Sequence, residues 1–293
     1  MRLILSILMT GLLLSCNDGP QRLSAQLDIQ GHRGARGLLP ENTIPAFLKA
    51  LELGVTTLEL DLAVTADGEL VVSHEPWMNH SICTDSAGQT ITEEDERKFN
   101  IFQMTLAEVQ QFDCGSLGNP RFPEQQAMSV TKPALAEVFD MVNQQLKGST
   151  INYNIEIKSS PEGDEKFHPA PAAFSDLVFQ FIDGKVDWKY ITIQSFDFRV
   201  LRYFNQTYPD VQLAALIENQ ETLAQNISTL GFTPDIYSSW YKDLSAEDVD
   251  YLHQQNVLVI PWTVNEIEDM KMLIDWGVDG IITDYPDRAS QLQ

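Results

Sequence analysis

Thr57-Leu58-Glu59-Leu60-Asp61-Leu62 alternates leucine with polar residues at a period of two. Successive side chains of a strand point to opposite faces, so Leu58, Leu60 and Leu62 share one face and Thr57, Glu59 and Asp61 the other. The leucine face suits packing on helices. The two carboxylates need water, a cation or a proton between them. Residues 151–158, Ile-Asn-Tyr-Asn-Ile-Glu-Ile-Lys, repeat the pattern, with Asn152, Asn154, Glu156 and Lys158 on one face. If the two strands are parallel neighbours, Glu156 converges on Glu59 and Asp61. Three carboxylates in one pocket repel unless a hard cation is bound, and an all-oxygen set favours Mg2+ or Ca2+ over zinc. Taken alone, either strand's acids read as ordinary exposed carboxylates. Both strands together, with His32 and His74 flanking the first, read as a metal centre.

Outward from these strands, apolar runs alternate with helical periodicity. Strands are expected over 27–31, 57–64, 151–157, 190–194, 213–216, 235–237, 257–261 and 280–282. Helices are expected over 42–53, 135–146, 172–182, 198–205, 220–230, 246–254 and 266–276. Asp67-Gly68 marks a hairpin leading to 70–73. Strands alternating with helices imply a parallel sheet, and eight of them match an α/β TIM (β/α)8 barrel. A doubly wound open sheet is the alternative, and no Gly-x-Gly-x-x-Gly supports it. Active sites of such barrels gather at the C-terminal ends of the strands. His32 and Arg33 end the first strand, Glu59 and Asp61 the second, Glu156 and Lys158 the third, and Gln194 and Ser195 the fourth. Trp262 follows the seventh and Asp284 the eighth. Residues 75–132 exceed what a βα loop needs and form an insertion on the catalytic face after strand two. Within it, Glu93–Glu96 reads as a solvated acidic patch, and Arg121 is a loop arginine able to reach the substrate. His80, His168 and His253 read as structural or exposed, and Trp240 and Tyr241 as ordinary aromatic packing.

The motifs stand in a telling order: His32-Arg33-Gly34, Pro40-Glu41-Asn42-Thr43, Glu59-Leu60-Asp61, His74-Glu75-Pro76, Ile155-Glu156-Ile157-Lys158, Gln194-Ser195-Phe196, Trp262-Thr263-Val264-Asn265 and Asp279 to Pro286. Together they resemble the glycerophosphodiester phosphodiesterases from Gln30 to Asp287. The resemblance implies metal-dependent hydrolysis of a small-molecule glycerophosphodiester to glycerol phosphate and an alcohol. It implies Glu59, Asp61 and Glu156 as ligands of Mg2+ or Ca2+, and His32 and His74 as acid and base. It also implies that a neighbouring glycerol hydroxyl attacks phosphorus first, giving a cyclic phosphate that water then opens. The chemistry of the residues agrees. A phosphodiester anion needs its charge offset and its leaving alcohol protonated. Arg33 matches phosphate oxygens with a planar fork and Lys158 adds a point charge. Histidine titrates near neutral pH and serves either role. Trp262 is a candidate wall of the glycerol pocket, and Glu41 and Gln194 are candidate supports for the groups that touch metal and substrate. A related phosphodiesterase acting on lysophospholipid or an envelope glycerophosphate polymer is the second reading. A non-catalytic binding protein is the third, and the loss of His32 or His74 that would mark it is not seen.

The remaining features concern location. Residues 1–15 carry Arg2 and the apolar run Leu3–Leu14, shorter than a membrane span and suited to a signal peptide. Leu13-Leu14-Ser15-Cys16 resembles a lipobox, which makes Cys16 the lipidated mature N-terminus; plain secretion with cleavage nearby is the alternative. Residues 16–26 then form a lipidated tether and 27–293 the barrel domain. This predicts an exported, membrane-anchored lipoprotein of the bacterial cell envelope, in the periplasm or outer membrane. The net charge of −23, from 19 basic and 42 acidic residues, disfavours nucleic acid and anionic membrane as partners. Membrane contact is expected through the lipid anchor only. The same charge repels a phosphodiester, so the site must carry local positive charge. Cys83 and Cys114, the cysteines left after Cys16, lie in the insertion, and an oxidising compartment favours a disulfide between them. Head group and oligomeric state have no signature in the sequence.

Overall fold

The computed structural model describes residues 27–292. The expected signal peptide (1–15) and lipidated tether (16–26), with Cys16, lie outside the described residues. The elements run β1 (Asp28–Gly31), α1 (Ile44–Glu52), β2 (Thr57–Val64), β3 (Leu70–Val72), α2 (Leu106–Val109), α3 (Leu135–Leu146), β4 (Asn152–Ile157), α4 (Pro171–Ile182) and β5 (Ile191–Ser195). They continue with α5 (Phe198–Thr207), β6 (Gln212–Ile217), α6 (Leu223–Leu230), β7 (Ile236–Ser239), α7 (Ala246–Gln254), β8 (Leu258–Val259), α8 (Ile267–Asp275), β9 (Gly280–Thr283) and α9 (Pro286–Ala289).

Eight strands are parallel in the order β8-β7-β6-β5-β4-β2-β1-β9. Across the remaining seam, Ile282 N–H donates to Pro261 O at 3.0 Å and Asp279 N–H to Val259 O at 2.9 Å, closing a TIM-type barrel. In the β2–β4 register Glu59 stands opposite Asn154 and Asp61 opposite Glu156. That neighbourhood is the condition on which convergence of the three carboxylates rests. Leu58, Leu60 and Leu62 are fully buried against the helix layer with Phe47, Ile155 and Ile157.

Capping chemistry decides where helices begin. Thr43 caps α1, accepting from the Ala46 N–H, so Asn42 stays outside the helix at φ +56°. A Thr222–Gln225 capping box starts α6 after residues 220 and 221, which the apolar pattern assigns to the helix. Strand β8 is shorter than the expected 257–261 span because Pro261 has no N–H to give to a ladder. The short helix α9 at the end of the chain was not expected from the sequence.

The insertion is a small folded unit. Strand β3 pairs antiparallel with β2. Met78, Ile82, Ile101, Val109 and Phe112 pack with Ala63 and Val71 into a second, smaller core. Cys83 and Cys114 form a disulfide inside it. Glu96 departs from the solvated patch expected over 93–96, because its carboxylate holds His80 Nδ1 at 2.7 Å.

Candidate active site

A cavity of about 390 Å³ opens at the C-terminal ends of the strands, lined by His32, Arg33, Glu59, His74, Glu156, Lys158, Gln194 and Trp262 among others. Its floor is set by β2 and β4. Glu59, Asp61 and Glu156 are 6% exposed or less, and one oxygen from each lies within 4.8 Å of the others. Glu59 is held from two sides: Oε1 accepts from Gln194 Nε2 at 2.7 Å and Oε2 from the Arg33 N–H at 2.8 Å. Asp61 Oδ2 accepts from Asn42 Nδ2 at 2.8 Å and lies 3.2 Å from Arg33 Nε. Its other oxygen, Oδ1, is buried without a hydrogen-bond partner among the described residues. Lys158 Nζ sits 2.9 Å from Glu156 Oε1.

The electrostatics follow from this crowding. Burial pushes the Glu156 carboxyl up to about 7, with Asp61 adding to the rise against Lys158. Burial and the Asp61 charge raise Glu59 as well, although both its oxygens already accept hydrogen bonds. Asp61 stays well below the usual carboxylate range, because Arg33, His74 and Lys158 together outweigh its burial. Three oxygen donors, one of them orphaned, fit a hard divalent cation.

The histidines are each tied to a carboxylate. His32 Nδ1 lies 2.7 Å from Asp284 Oδ1, and His74 Nδ1 lies 2.8 Å from Glu75 Oε1. Each contact fixes Nδ1 as the donor and leaves Nε2 as the acceptor. Lys158 Nζ stands 3.1 Å from His74 Nε2. Burial, then Arg36, pushes His32 down to about 4; burial, then Arg33, lowers His74 too. Asp284 also accepts from Arg36 Nε at 2.8 Å and Asn265 Nδ2 at 2.8 Å.

The turn after β1 makes this arrangement possible. Arg33 takes φ +51°, which aims its N–H at Glu59. At Gly34, φ +86°, a Cβ would stand 2.6 Å from the backbone of Ala46, so the turn lies directly on α1.

The structure brings together His32, His74, Arg33, Lys158, Trp262, Glu59, Asp61, Glu156, Glu41 and Gln194. The Arg33 fork is largely engaged, with Nη1 donating to Glu41 Oε1 at 2.6 Å. Arg121 lines the same cavity. Trp240 is exposed and Tyr241 donates to Asp269, and neither is among the residues that line the cavity. His168 is buried, accepting from the Ser160 N–H and bonded to Pro169 O, and His253 pairs with Asp279. Arg36, Glu75, Phe196, Glu218 and Asp284 belong to the site without having been assigned a role from the sequence. For Phe196 and Glu218 the signal was present: they continue the inward parity of Gln194 and of Ala214 and Leu216.

The model of the glycerophosphoryl diester phosphodiesterase family matches residues 32–288. The glycerophosphodiester phosphodiesterase of Bacillus subtilis is 32% identical over 270 residues, covering 87% of this chain and 83% of that protein. The one from Bacillus altitudinis is 30% identical, covering 90% and 97%. A crystal structure from Silicibacter pomeroyi, assigned as a glycerophosphoryl diester phosphodiesterase, superposes with a TM-score of 0.80 at 31% identity, covering 91% of this chain and 92% of that one. An Oleispira antarctica phosphodiesterase, solved with sn-glycerol-3-phosphate, shares the fold with a TM-score of 0.71 at 18% identity, covering 91% and 97%. The chain belongs to the glycerophosphoryl diester phosphodiesterase family and is an enzyme of that class.

Proposed function

We propose that this enzyme hydrolyses glycerophosphodiesters with His32 and His74 as its acid and base, beside a Mg2+ or Ca2+ ion held by Glu59, Asp61 and Glu156. The observation that carries the reading is the pair of carboxylate-tethered histidines on the same cavity as the buried acidic triad. When bound, the ion supplies Lewis-acid charge neutralisation and a template for the substrate.

The remaining work falls to the protein's own groups. Arg33 and Lys158 set positive charge against the phosphate oxygens. One histidine Nε2 takes the proton of the attacking glycerol hydroxyl as its oxygen bonds to phosphorus. The other histidine, held as imidazolium between its carboxylate partner and the anionic diester, gives its proton to the alcohol oxygen as the old P–O bond breaks. Water then opens the cyclic phosphate with the two roles exchanged. A hydroxyl already in the substrate has an effective molarity of about 10⁵ M or more when aligned. Asp284 and Glu75 hold the tautomers and balance the imidazolium that forms at each step.

The histidine roles separate with a nitrophenyl ester of glycerol phosphate, whose leaving group departs without protonation. Loss of the acid histidine should spare this substrate while disabling hydrolysis of an alkyl diester; loss of the base should disable both. Equal losses for His32→Asn and His74→Asn on both substrates would reject the division of roles. A 2-deoxy glycerophosphodiester should bind yet turn over orders of magnitude more slowly, and near-normal kcat on it would reject the intramolecular route.

The same reading keeps residues 1–15 as a signal peptide and Cys16 as the lipid attachment point of an envelope protein. Its support is the apolar run ending in Leu13-Leu14-Ser15-Cys16. No helix among the described residues is long and apolar enough to cross a membrane. Intact-mass analysis of membrane-extracted protein should show acyl chains on a chain beginning at Cys16; an unmodified soluble mature form would reject the anchor.

A further inference from the structure

Arg36 borders the catalytic cavity, yet its guanidinium is engaged by protein carboxylates. It is buried. Nε donates to Asp284 Oδ1 at 2.8 Å and Nη2 to Asp284 Oδ2 at 3.1 Å. Nη1 lies 3.8 Å from Glu41 Oε2. Asp284 Oδ1 is thereby shared between Arg36 and His32 Nδ1. The insertion holds Arg36 from the other side. The Phe122 ring covers the guanidinium, with Cζ 4.6 Å from the ring centroid. Gln125 Nε2 donates to the Arg36 carbonyl at 2.7 Å.

We infer that Arg36 is a positioning residue for the reaction, acting on His32 through Asp284, and that Phe122 of the insertion seats it there. The inference rests on the proposed role of His32. A carboxylate that turns about its Cβ–Cγ bond carries Oδ1 away from the imidazole. A planar fork that engages both oxygens fixes that torsion, and a lysine ammonium, a point donor, does not. Asn265 Nδ2 reaches Oδ2 alone. Arg36 also sets the charge that His32 meets. Burial lowers the proton affinity of His32, Arg36 and Arg33 from the turn after β1 lower it further, and Asp284 after β9 raises it. Thr263 after β8, 3.5 Å from Nδ1, carries no charge. Loss of Arg36 therefore loosens Asp284 and favours the protonated ring to higher pH.

The test compares kcat, KM and the pH profile on glycerophosphocholine for the full chain and its variants. Arg36→Gln should lower kcat about 10- to 100-fold, a part of what a positioned acid or base contributes, with KM little changed. One limb of its pH profile should move up by about one unit while the other stays. The direction is the same for either role of His32: the acid limb moves if it is the base, the alkaline limb if it is the acid. Arg36→Lys keeps the charge without the fork, so its profile should return toward wild type while kcat stays low. Phe122→Leu should lower kcat in the same sense by less. In a His32→Asn background, Arg36→Gln should cost less than about twofold more, because the group it acts on is gone. The full loss repeated in that background, or a raised KM with kcat unchanged, would overturn the inference and make Arg36 a direct phosphate contact. Should Arg36→Gln not fold, wild-type kcat and pH profile in both Arg36→Lys and Phe122→Leu would overturn it equally. Near-normal turnover by His32→Asn itself would instead sink the proposed role of His32, and this inference with it.

Discussion

Asp284 serves three donors at once, and the state of His32 depends on it. An asparagine there keeps the shape but offers an N–H where His32 needs an acceptor, which favours the wrong tautomer. Asp284→Asn should lower kcat about 10²- to 10⁴-fold, the usual contribution of a positioned acid or base. Steady-state kinetics beside circular dichroism checks this; a folded variant with near-normal kcat would show that the pair does not position His32. Glu156→Gln removes one of three crowded carboxylates, so the metal-free protein should melt at the same temperature or higher while losing the rise that Mg2+ or Ca2+ gives the wild type. Thermal melts with and without the ion decide it, and an undiminished rise would remove Glu156 from the ligand set. The triad was legible in the sequence because strand parity fixes which side chains share a face. The His32–Asp284 pair was not, since 252 residues separate its members and barrel closure alone brings the last strand to the first. Glu75 was hidden differently: it follows His74 directly, and parity assigns adjacent residues to opposite faces, whereas here the chain has already left the strand.

At the level of elements, periodicity located the barrel strands, and local hydrogen bonding set their ends. Thr43 and Thr222 begin their helices where a side-chain oxygen meets an unpaired N–H, a feature that apolar spacing does not register. The insertion was visible as excess length, but its internal core was not, because Met78, Ile101 and Phe112 follow no regular period. Its disulfide spans 31 residues, and closing such a loop stabilises by about 3–4 kcal/mol in the chain-entropy model. The Cys83→Ser/Cys114→Ser variant should lose close to that amount in denaturant unfolding. Thiol titration of the denatured, unreduced wild type should find neither Cys83 nor Cys114 reactive. Two reactive thiols at those positions would refute the bond.

For the whole molecule, two opposed sets of carboxylates shape stability against pH. Asp284 is held below the ordinary range, since Arg36 and His32 outweigh its burial. Its contribution is present above the unfolded aspartate pKa of about 3.9 and disappears as pH falls through the depressed native value. Glu156 behaves oppositely. Its folded value near 7 lies above the unfolded one, so its contribution is full below about 4.3 and is lost as pH rises toward 7. Chelated protein should therefore melt highest near pH 5 and lower at pH 7.5. Millimolar Mg2+ or Ca2+ should raise the melting temperature more at pH 7.5 than at pH 5, where a proton competes for Glu156. Differential scanning fluorimetry across that range tests it, and an increment that does not vary with pH would contradict the coupling.

The barrel interior carries a further consequence. Asn154 Nδ2 donates both to Gln30 Oε1 at 2.7 Å and to Gln194 Oε1 at 2.9 Å. Gln194 passes the direction on to Glu59, and Gln30 to Asp28. Four neighbouring strands are thus wired to one another through oriented amides, and no single amide can turn without orphaning the next. Phe196, Glu218 and Trp262, which line the cavity, each follow a strand and stand outside this circuit. Exchanging the segments after β5, β6 and β8 would therefore leave the amide circuit that orients Glu59 in place.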